Sequence, residues 1–322
     1  MRRRAAMART ATRRTVLLTA ALSLLAAACQ TEDGDGDGDG RSPFTGEQGA
    51  GEKVLAVKID NVRAARPHTG LDKADIVYIE QVEAGLTRIL AILASDLPES
   101  LGPVRSARES DLELLRQFGT PALAYSGVQS RLRPLVEAAP LIPLPPGELT
   151  DGYVRDPSRS APHNLYLRPD RALRAASGAS APRDIGFRFG SAPSGGRKTG
   201  ERTVRFPAAS FTFDWSSSEK RWLVSMDGSP ARTNGSDRLS AATVVVQYVT
   251  VRPSDYGDRS GSNTPYTETV GSGRALVLRD GREYEAEWSR PSASAGTTFT
   301  DTEGRRLPFA RGPVWVVLAP VD

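Results

Sequence analysis

The single cysteine of this 322-residue chain, Cys29, most constrains what the chain can fold into. It follows an Arg-rich start without acidic residues, 1–14, and the short apolar run 15–28. A charged start, an apolar core and small residues at the exit are typical of a secretory signal. The apolar run is shorter than the roughly 20 residues that span a bilayer. No cysteine remains for a disulfide, so an exported chain of this kind depends on its hydrophobic core.

The residues before Cys29 are Ala26, Ala27 and Ala28, and the pattern resembles a lipoprotein signal. It predicts a signal peptide over 1–28, cleavage before Cys29, and a thiol that carries diacylglycerol. The protein is then expected on the extracytoplasmic face of the cell membrane, held by its lipid. The alternative is a plain secreted protein, but a free exposed thiol is unusual there. The pair Arg13-Arg14 also suits a twin-arginine signal, so the export route stays open.

The charge of the chain belongs mostly to this leader. The whole sequence has 42 basic and 38 acidic residues, a net charge of +4. Six arginines lie in the first 28 residues, which leaves 36 basic residues against the same 38 acidic ones. The remaining chain is therefore slightly acidic, which gives no support to binding of nucleic acid.

Metals and cofactors have few candidate ligands. The chain has two histidines, His68 and His163, far apart in the sequence. No Gly-rich phosphate loop of the P-loop or Rossmann type is present. We predict no metal site and no cofactor, although carboxylates could still hold a hard cation.

The segment 29–51 is rich in Gly and Asp and poor in apolar residues. Its Asp spacing is superficially that of a calcium loop, but Phe44 stands where the twelfth-place Glu is needed, counting from Asp33. We predict a flexible acidic tether.

A first domain is expected over 52–176, with strand-like and helix-like segments in alternation. The runs 54–59 and 75–82 are rich in β-branched and aromatic residues, and 87–94 is apolar almost throughout, as in a strand buried on both faces. Leu112, Leu115 and Phe118 lie at helical spacing. This mixture predicts an α/β layered domain.

The rest of the chain predicts a linker over 177–202 and a β-rich domain over 203–322. The linker is rich in Gly, Ser, Pro and Ala. The β-rich part places D-G or E-G pairs between strand-like runs, which favours tight hairpins. The run 242–251 is predicted as a central strand. The fold class expected is α+β, with a mostly antiparallel C-terminal domain.

The stretch GPVRSARESDLELL, 102–115, is the strongest candidate for chemistry. Ser110 with Glu113, or Ser106 with Glu109, predicts a capping box just after Arg105 and Arg108. A helix start beside two guanidinium groups can bind an anion. Arg88, at the start of a predicted neighbouring strand, could join them. The alternative is an ordinary loop whose acidic residues neutralise the arginines.

Other candidates are weaker. Asp60 and Asn61 end the first predicted strand, where α/β sheets place ligand groups, or they simply form a turn. His163, beside Asn164, could act as an acid or base, or be a hydrogen-bonded structural residue. His68 is expected to be a loop residue. No G-x-S-x-G motif surrounds Ser106, which argues against a nucleophilic serine.

The order of these motifs resembles a bacterial family, the YerB-like lipoproteins, which is named as a domain of unknown function with N- and C-terminal parts. The resemblance rests on KIDN, ARPHTGLDKADIVYIEQVEAGLTRILAI, GPVRSAR and APHNLY, and on GSGRALVLRDGREYEAEW and GPVWVVL. It supplies no established catalytic residues. It adds weight to the polar residues of these motifs: Asp60, Asn61, Arg66, Asp75, Glu80, Arg88, Arg105, Arg108, His163 and Asn164.

We therefore expect a membrane-anchored envelope protein that binds an anionic or glycan-like cell-wall ligand. The predicted ligand-binding residues are Arg88, Arg105, Arg108, Asp60, Asn61, Arg66, Glu80, His163 and Asn164. Two alternatives stay open. One is an enzyme acting on phosphate-linked envelope precursors with Mg²⁺ held by Asp60 or Asp75, and the other is a scaffold whose β domain recruits an envelope protein. The sequence leaves the oligomeric state open.

Overall fold

Strands dominate the fold, as the apolar runs and hairpin turns predict. The computed structural model describes residues 40–235, 237–257 and 263–321. The predicted signal peptide, Cys29 and the first part of the tether lie outside the described residues.

The N-terminal half has short strands interleaved with short helices. Its strands are β1 Leu55–Asp60, β2 Ile76–Gln81, β3 Thr87–Leu93, β4 Ala122–Ala124, β5 Ile142–Leu144, β6 Tyr153–Arg155 and β7 Leu165–Leu167. Its α-helices are α1 Glu109–Leu115, α2 Arg133–Ala138 and α3 Pro169–Ala175. Its 3₁₀ helices are Arg63–Ala65, Leu71–Lys73, Glu83–Gly85, Arg116–Phe118 and Ser130–Leu132.

The C-terminal half consists of strands and loops in its described part. Its strands are β8 Arg197–Lys198, β9 Glu201–Phe206, β10 Ala209–Ser216, β11 Arg221–Met226, β12 Ser229–Pro230, β13 Ser240–Ala241, β14 Thr243–Val249, β15 Val251–Gly257, β16 Asn263–Thr267, β17 Gly271–Arg279, β18 Arg282–Arg290, β19 Thr298–Thr300 and β20 Val314–Pro320.

One large mixed sheet joins the two halves. Its strand order is β19-β18-β17-β14-β20-β2-β3-β1-β4-β5, and β8 pairs with β18. β20, from the end of the chain, runs parallel to both β14 and β2 and so connects the halves. The C-terminal strands are otherwise mostly antiparallel, and β4 is parallel to β1 and β5. The predicted α+β class is confirmed.

The two faces of this sheet bury separate cores. On one face, Val57, Ile59 and Ile89 pack with Phe211 and Trp222 of a second, five-stranded sheet. On the other face, apolar residues of the central strands pack under α1 and its 3₁₀ extension. That second core includes Ala56, Ile76, Tyr78, Leu90, Ile92, Leu115 and Phe118. β3 is buried along its whole length, as its continuous apolar sequence predicts.

Two D-G pairs form the predicted tight hairpins. Asp227 and Gly228 have φ values of 50° and 75°, between β11 and β12. Asp280 and Gly281 have φ values of 51° and 69°, between β17 and β18. Both residues of each pair are left-handed, which matches the twist of paired strands.

The structure corrects the end of the predicted tether. Phe44 is fully buried and packs edge-on against Phe118, with ring centroids 5.4 Å apart. The N–H of Gly312 donates to the carbonyl of Thr45 at 2.9 Å. The interpretation of this segment as flexible rested on its Gly and Asp content and overlooked one large apolar side chain that the core accommodates.

The predicted linker is an extended connection that is itself anchored. Ile185 is fully buried, and Phe187 packs against Phe309 with centroids 5.0 Å apart. The segment also contributes β8 to the large sheet. Apolar residues at every second position, Ile185, Phe187 and Phe189, fasten this segment to the C-terminal half.

Candidate functional site

One face of the central strands turns from apolar to charged at one end. Residues two apart share a face of a strand. The face on which Ala56 and Tyr78 are buried therefore continues into charged side chains towards the end of each strand. These are Lys58 and Asp60 of β1, Glu80 of β2 and Arg88 of β3. In the sheet register, Arg88 stands opposite both Asp60 and Glu80. We call these four residues, with Arg105, Arg108, Asp111 and His163, the charged cluster.

Backbone hydrogen bonds hold the predicted arginine stretch over these strand ends. The N–H of Asp60 donates to the carbonyl of Pro103 at 2.9 Å, and the N–H of Arg105 donates to the carbonyl of Lys58 at 2.7 Å. On its other side, the N–H of Ser126 donates to the carbonyl of Arg105 at 3.0 Å. The position of Arg105 is therefore fixed by the main chain.

The start of α1 differs from the prediction. Arg108 precedes the helix, and its N–H donates to the Asp111 carboxylate at 2.7 Å. Ser110 is no cap, because its hydroxyl accepts from the N–H of Thr267 at 2.9 Å. The predicted capping boxes are wrong, since acidic side chains compete for the same N–H groups. Glu109 and Asp111 both lie in the first turn of this seven-residue helix, and the Asp111 carboxylate accepts from the N–H of the residue that precedes the helix.

Lys58 forms the innermost part of the cluster. It is fully buried and forms ion pairs with Glu80 and with Asp111, the latter at 2.8 Å. Burial lowers the pKa of Lys58 to about 8, and the Asp111 charge opposes that shift. The second carboxylate oxygen of Glu80, Oε2, is buried and has no hydrogen-bond partner among the described residues. Buried polar atoms are rarely left this way, and such exceptions need an explanation.

Arg108 is fully engaged by one carboxylate. Its Nε and Nη2 donate to the two oxygens of Glu83 at 2.8 and 2.7 Å, and Thr264 donates to the same carboxylate at 2.7 Å. Burial alone would raise the pKa of Glu83, but the bonds and charge of Arg108, with that of Thr264, lower it to about 2. Arg108, which the sequence predicts to bind a ligand, is therefore paired with Glu83 in the structure.

Asp60 carries two partners on one oxygen. His163 Nδ1 donates to Asp60 Oδ2 at 2.7 Å, and Arg105 Nε lies 3.3 Å from the same atom. Asp60 is buried, whereas the side chains of His163 and Arg105 are 21 % and 28 % exposed. Among the described residues, His163 Nε2 and the two terminal nitrogens of Arg105 have no hydrogen-bond partner. The outer edge of the cluster therefore presents free donors and one free imidazole nitrogen.

Arg88 is the least satisfied charged group of the cluster. Its side chain is buried, with the residue only 8 % exposed, and Nη1 donates to the carbonyl of Ser106 at 2.8 Å. No carboxylate oxygen of a described residue lies within 4.0 Å of the guanidinium. Burial, and then the charge of Arg108, lowers the pKa of Arg88 to about 9. Arg88 still carries its charge at neutral pH, without a directly bound counter-charge.

Two predicted residues lie on the opposite face of the strand ends. Asn61 donates to Thr87 Oγ1 at 2.9 Å, and Arg66 bonds Asn61 Oδ1 at 3.2 Å and Asp227 Oδ2 at 2.8 Å. They line a cleft of about 530 Å³ between these strand ends and the β9–β10 hairpin, which also contains Arg205. Asn61 and Arg66 are thus outside the charged cluster.

Asn164 is the predicted ligand residue with the clearest structural role. Its Oδ1 accepts from Arg155 Nη1 at 2.7 Å, and its Nδ2 donates to the carbonyl of Arg159 at 3.2 Å. The side chain is buried within the loop that presents His163. The polar atoms of Asn164 are therefore used within the loop, and its contact with a ligand stays a prediction.

Sequence reasoning missed Lys58 and Asp111. A lysine inside the apolar run VLAVKI was the available signal, since a buried lysine needs a partner.

His68, expected in a loop, is buried, and its Nε2 donates to the backbone carbonyl of Asp60 at 2.8 Å. Burial lowers the pKa of His68 to about 4, which keeps this ring neutral.

The carboxylates proposed for a metal are already in use. Asp75 Oδ2 accepts from the N–H groups of Ala94 and Ser95 at 2.6 and 3.0 Å, and Asp60 pairs with His163 and Arg105. Among the described residues, no three His, Cys, Asp or Glu side chains are grouped so that they could hold a metal ion.

Comparisons with known proteins agree with the motifs. The N-terminal domain of "Protein of unknown function (DUF3048)" matches residues 43–182, and its C-terminal domain matches residues 202–316. A Bacillus subtilis (strain 168) protein with the name "Putative lipoprotein YerB" is 27% identical over 315 residues, which cover 92% of each chain. The crystal structure of YerB protein from Bacillus subtilis superposes with a TM-score of 0.75 at 21% identity, covering 87% of this chain and 97% of that one.

These features define an α+β protein with one mixed sheet across both halves and a charged cluster at its central strand ends. The chain belongs to the YerB-like family with two DUF3048 domains. Within the described residues, no helix has the length and apolar character needed to cross a bilayer.

Proposed function

We propose that this protein is a lipid-anchored protein of the extracytoplasmic face of the cell membrane that binds an anionic envelope ligand at the charged cluster. The anchor is Cys29, which follows the export signal, and the curated relative carries the word lipoprotein in its name. A Cys29→Ser variant should leave the membrane fraction and take up no labelled fatty acid. Retention of that variant in the membrane would contradict the anchor.

Arg88 is the main reason to place a binding site here, because most of its hydrogen-bond donors have no partner among the described residues. A buried guanidinium ordinarily pairs with a carboxylate or donates all its N–H groups. Arg88 has one carbonyl partner and a pKa that burial lowers. An anion that enters the cluster would supply the missing acceptors and the missing counter-charge, and low local polarity would strengthen that attraction.

Arg105 supplies the outer half of the proposed site. Its Nε faces Asp60, so the two terminal nitrogens of its guanidinium stay available at the surface. Guanidinium groups bind carboxylate and phosphate oxygens through two parallel hydrogen bonds. We infer that the partly exposed Arg105 binds the oxygens of the ligand that lie nearest the surface, and that the buried Arg88 binds the oxygens that lie deepest. Glu80 and Asp111 pair with Lys58, and neither forms an ion pair with Arg88 or Arg105.

Calorimetric titration of the full chain in detergent with inorganic pyrophosphate tests this site. A hydrogen bond to a charged group contributes about 1.5–3 kcal/mol, so Arg88→Met and Arg105→Gln should each weaken binding about 10- to 100-fold. Arg174→Gln is the matched control, because this arginine is 59% exposed and pairs with Asp170 on α3.

The control variant should bind as the unmodified chain does. Equal affinity in the Arg88 and Arg105 variants, or an equal loss in the control, would contradict the proposed site. Raised salt should weaken the interaction at Arg105 more than at Arg88, since buried charges are screened less.

A further inference from the structure

We propose that Asp60 and His163 form an acid–base pair, and that the charged cluster hydrolyses a phosphoric ester or anhydride bond of the anion it binds. This inference rests on the proposed function, because it uses the same arginines to hold the substrate.

The geometry of the pair supports this role. His163 Nδ1 donates to Asp60 Oδ2 at 2.7 Å, so the neutral ring carries its proton on Nδ1 and leaves a lone pair on Nε2. Nε2 has no partner among the described residues, and the side chain is 21% exposed. A buried carboxylate that orients an imidazole in this way stabilises the imidazolium formed when Nε2 takes a proton.

The surroundings hold Asp60 in place for this task. Its N–H donates to the carbonyl of Pro103, and its own carbonyl accepts from His68 Nε2 at 2.8 Å. Arg105 Nε lies 3.3 Å from the same carboxylate oxygen that His163 uses. His68 is therefore a positioning residue, and the two histidines of the chain have different roles at one aspartate.

The arginines lie where charge would develop. Arg105 contacts Asp60, and Arg88 is the cross-strand neighbour of Asp60. Charged donors fixed before the reaction stabilise a transition state at low cost.

The reaction balances without any other reagent. A water oxygen attacks phosphorus while His163 Nε2 takes one of its protons. The bond between phosphorus and the leaving oxygen breaks, and its electron pair stays on that oxygen. The leaving oxygen then takes the proton from Nε2, which restores the neutral ring. The products are an alcohol and a phosphate from an ester, or two phosphates from an anhydride.

The test measures p-nitrophenol release from bis(p-nitrophenyl) phosphate and phosphate release from pyrophosphate, with the full chain in detergent. His163→Asn should lower both rates about 100-fold or more, because general acid–base catalysis contributes that much. Pyrophosphate affinity of this variant should stay within about 3-fold of the unmodified chain, since His163 only moves the proton. Arg174→Gln should keep full rate and full affinity.

A second measurement is independent of the rate. Nitrogen-15 NMR of the imidazoles is simple here, since the chain has only His68 and His163. The neutral His163 ring should show its proton on Nδ1 and a bare Nε2, and His163→Asn assigns the signal. A proton on Nε2 in the neutral ring would overturn the inference.

The outcomes separate the two proposals. Pyrophosphate binding without release from either probe overturns hydrolysis and leaves the binding site standing. Release that is unchanged in His163→Asn also overturns the inference. Absence of both binding and release contradicts the proposed function itself.

Discussion

Two buried arginines, one in each half of the molecule, differ in how their donors are used. Arg290, at the end of β18, is fully buried and donates to the carbonyls of Glu113, Leu114, Ala293 and Ala295 and to Thr269 Oγ1. Arg88, at the start of β3, is 8% exposed and has one carbonyl partner, Ser106. Burial lowers the pKa of both.

Burial and a shifted pKa therefore do not distinguish a structural arginine from a ligand-binding one. The distinction lies in the acceptors that remain to be supplied. Arg290 donates from all three of its side-chain nitrogens and fastens the end of α1 to the C-terminal half. Arg88 has one carbonyl partner among the described residues and no directly bound counter-charge, which is why we propose that it binds an anion.

The largest effect expected from this comparison is on stability. Arg290→Met leaves several buried carbonyls without a donor, so the free energy of unfolding should fall by about 3–5 kcal/mol. Arg88→Met removes a buried charge that has one partner, and should change that free energy by only about 1 kcal/mol while it weakens pyrophosphate binding about 10- to 100-fold. Urea denaturation of both variants at neutral pH measures the difference. An equal loss of stability in the two variants would mean that Arg88 is structural.

Acid titration extends the comparison to a third arginine, Arg108, which a carboxylate satisfies. Its partner Glu83 has a folded pKa of about 2 against 4.5 for the ordinary group. A lowered folded pKa stabilises the protein above pH 4.5, and this contribution is lost as pH falls from 4.5 to 2. Glu83→Gln should therefore lower the free energy of unfolding by about 2 kcal/mol near neutral pH. The difference from the unmodified chain should shrink below pH 4.5 and close near pH 2.

The matched control for that titration is Asp170→Asn, which breaks an exposed pair with Arg174 on α3. Exposed ion pairs contribute little, so this variant should follow the unmodified chain across the same pH range. A constant gap for Glu83→Gln at all pH values would show that shape, not charge, explains its effect.

Much of the fold could be predicted from local sequence. The apolar run 87–94 predicts a strand buried on both faces, and β3 is one. The two D-G pairs predict tight hairpins, because Gly accepts a positive φ without steric cost. The cap of α1 could not be assigned, since Ser110 and Asp111 offer equivalent oxygens and only the contact with Thr267 decides between them.

The candidate site could be predicted in part. Asp60, Glu80, Arg88, Arg105, Arg108 and His163 meet at one end of the sheet. Asn61 directly follows Asp60 of β1 and bonds Thr87 on the other side, and Arg66, which follows a 3₁₀ helix, bonds Asn61 there. Asn164 stabilises a loop. Lys58 and Asp111 escaped notice, since a buried ion pair between distant segments leaves no periodic pattern.

By itself, the sequence determined the strands and their turns, because side-chain periodicity and turn chemistry act over a few residues. It also determined which arginines are present near the strand ends. The tertiary structure alone decided which arginine keeps unused charge. That outcome depends on the register that sets Arg88 opposite Asp60 and Glu80, and on the segment around Pro103 that folds over the strand ends. Both are long-range contacts, and electrostatic compensation depends on distance in space and not on distance along the chain.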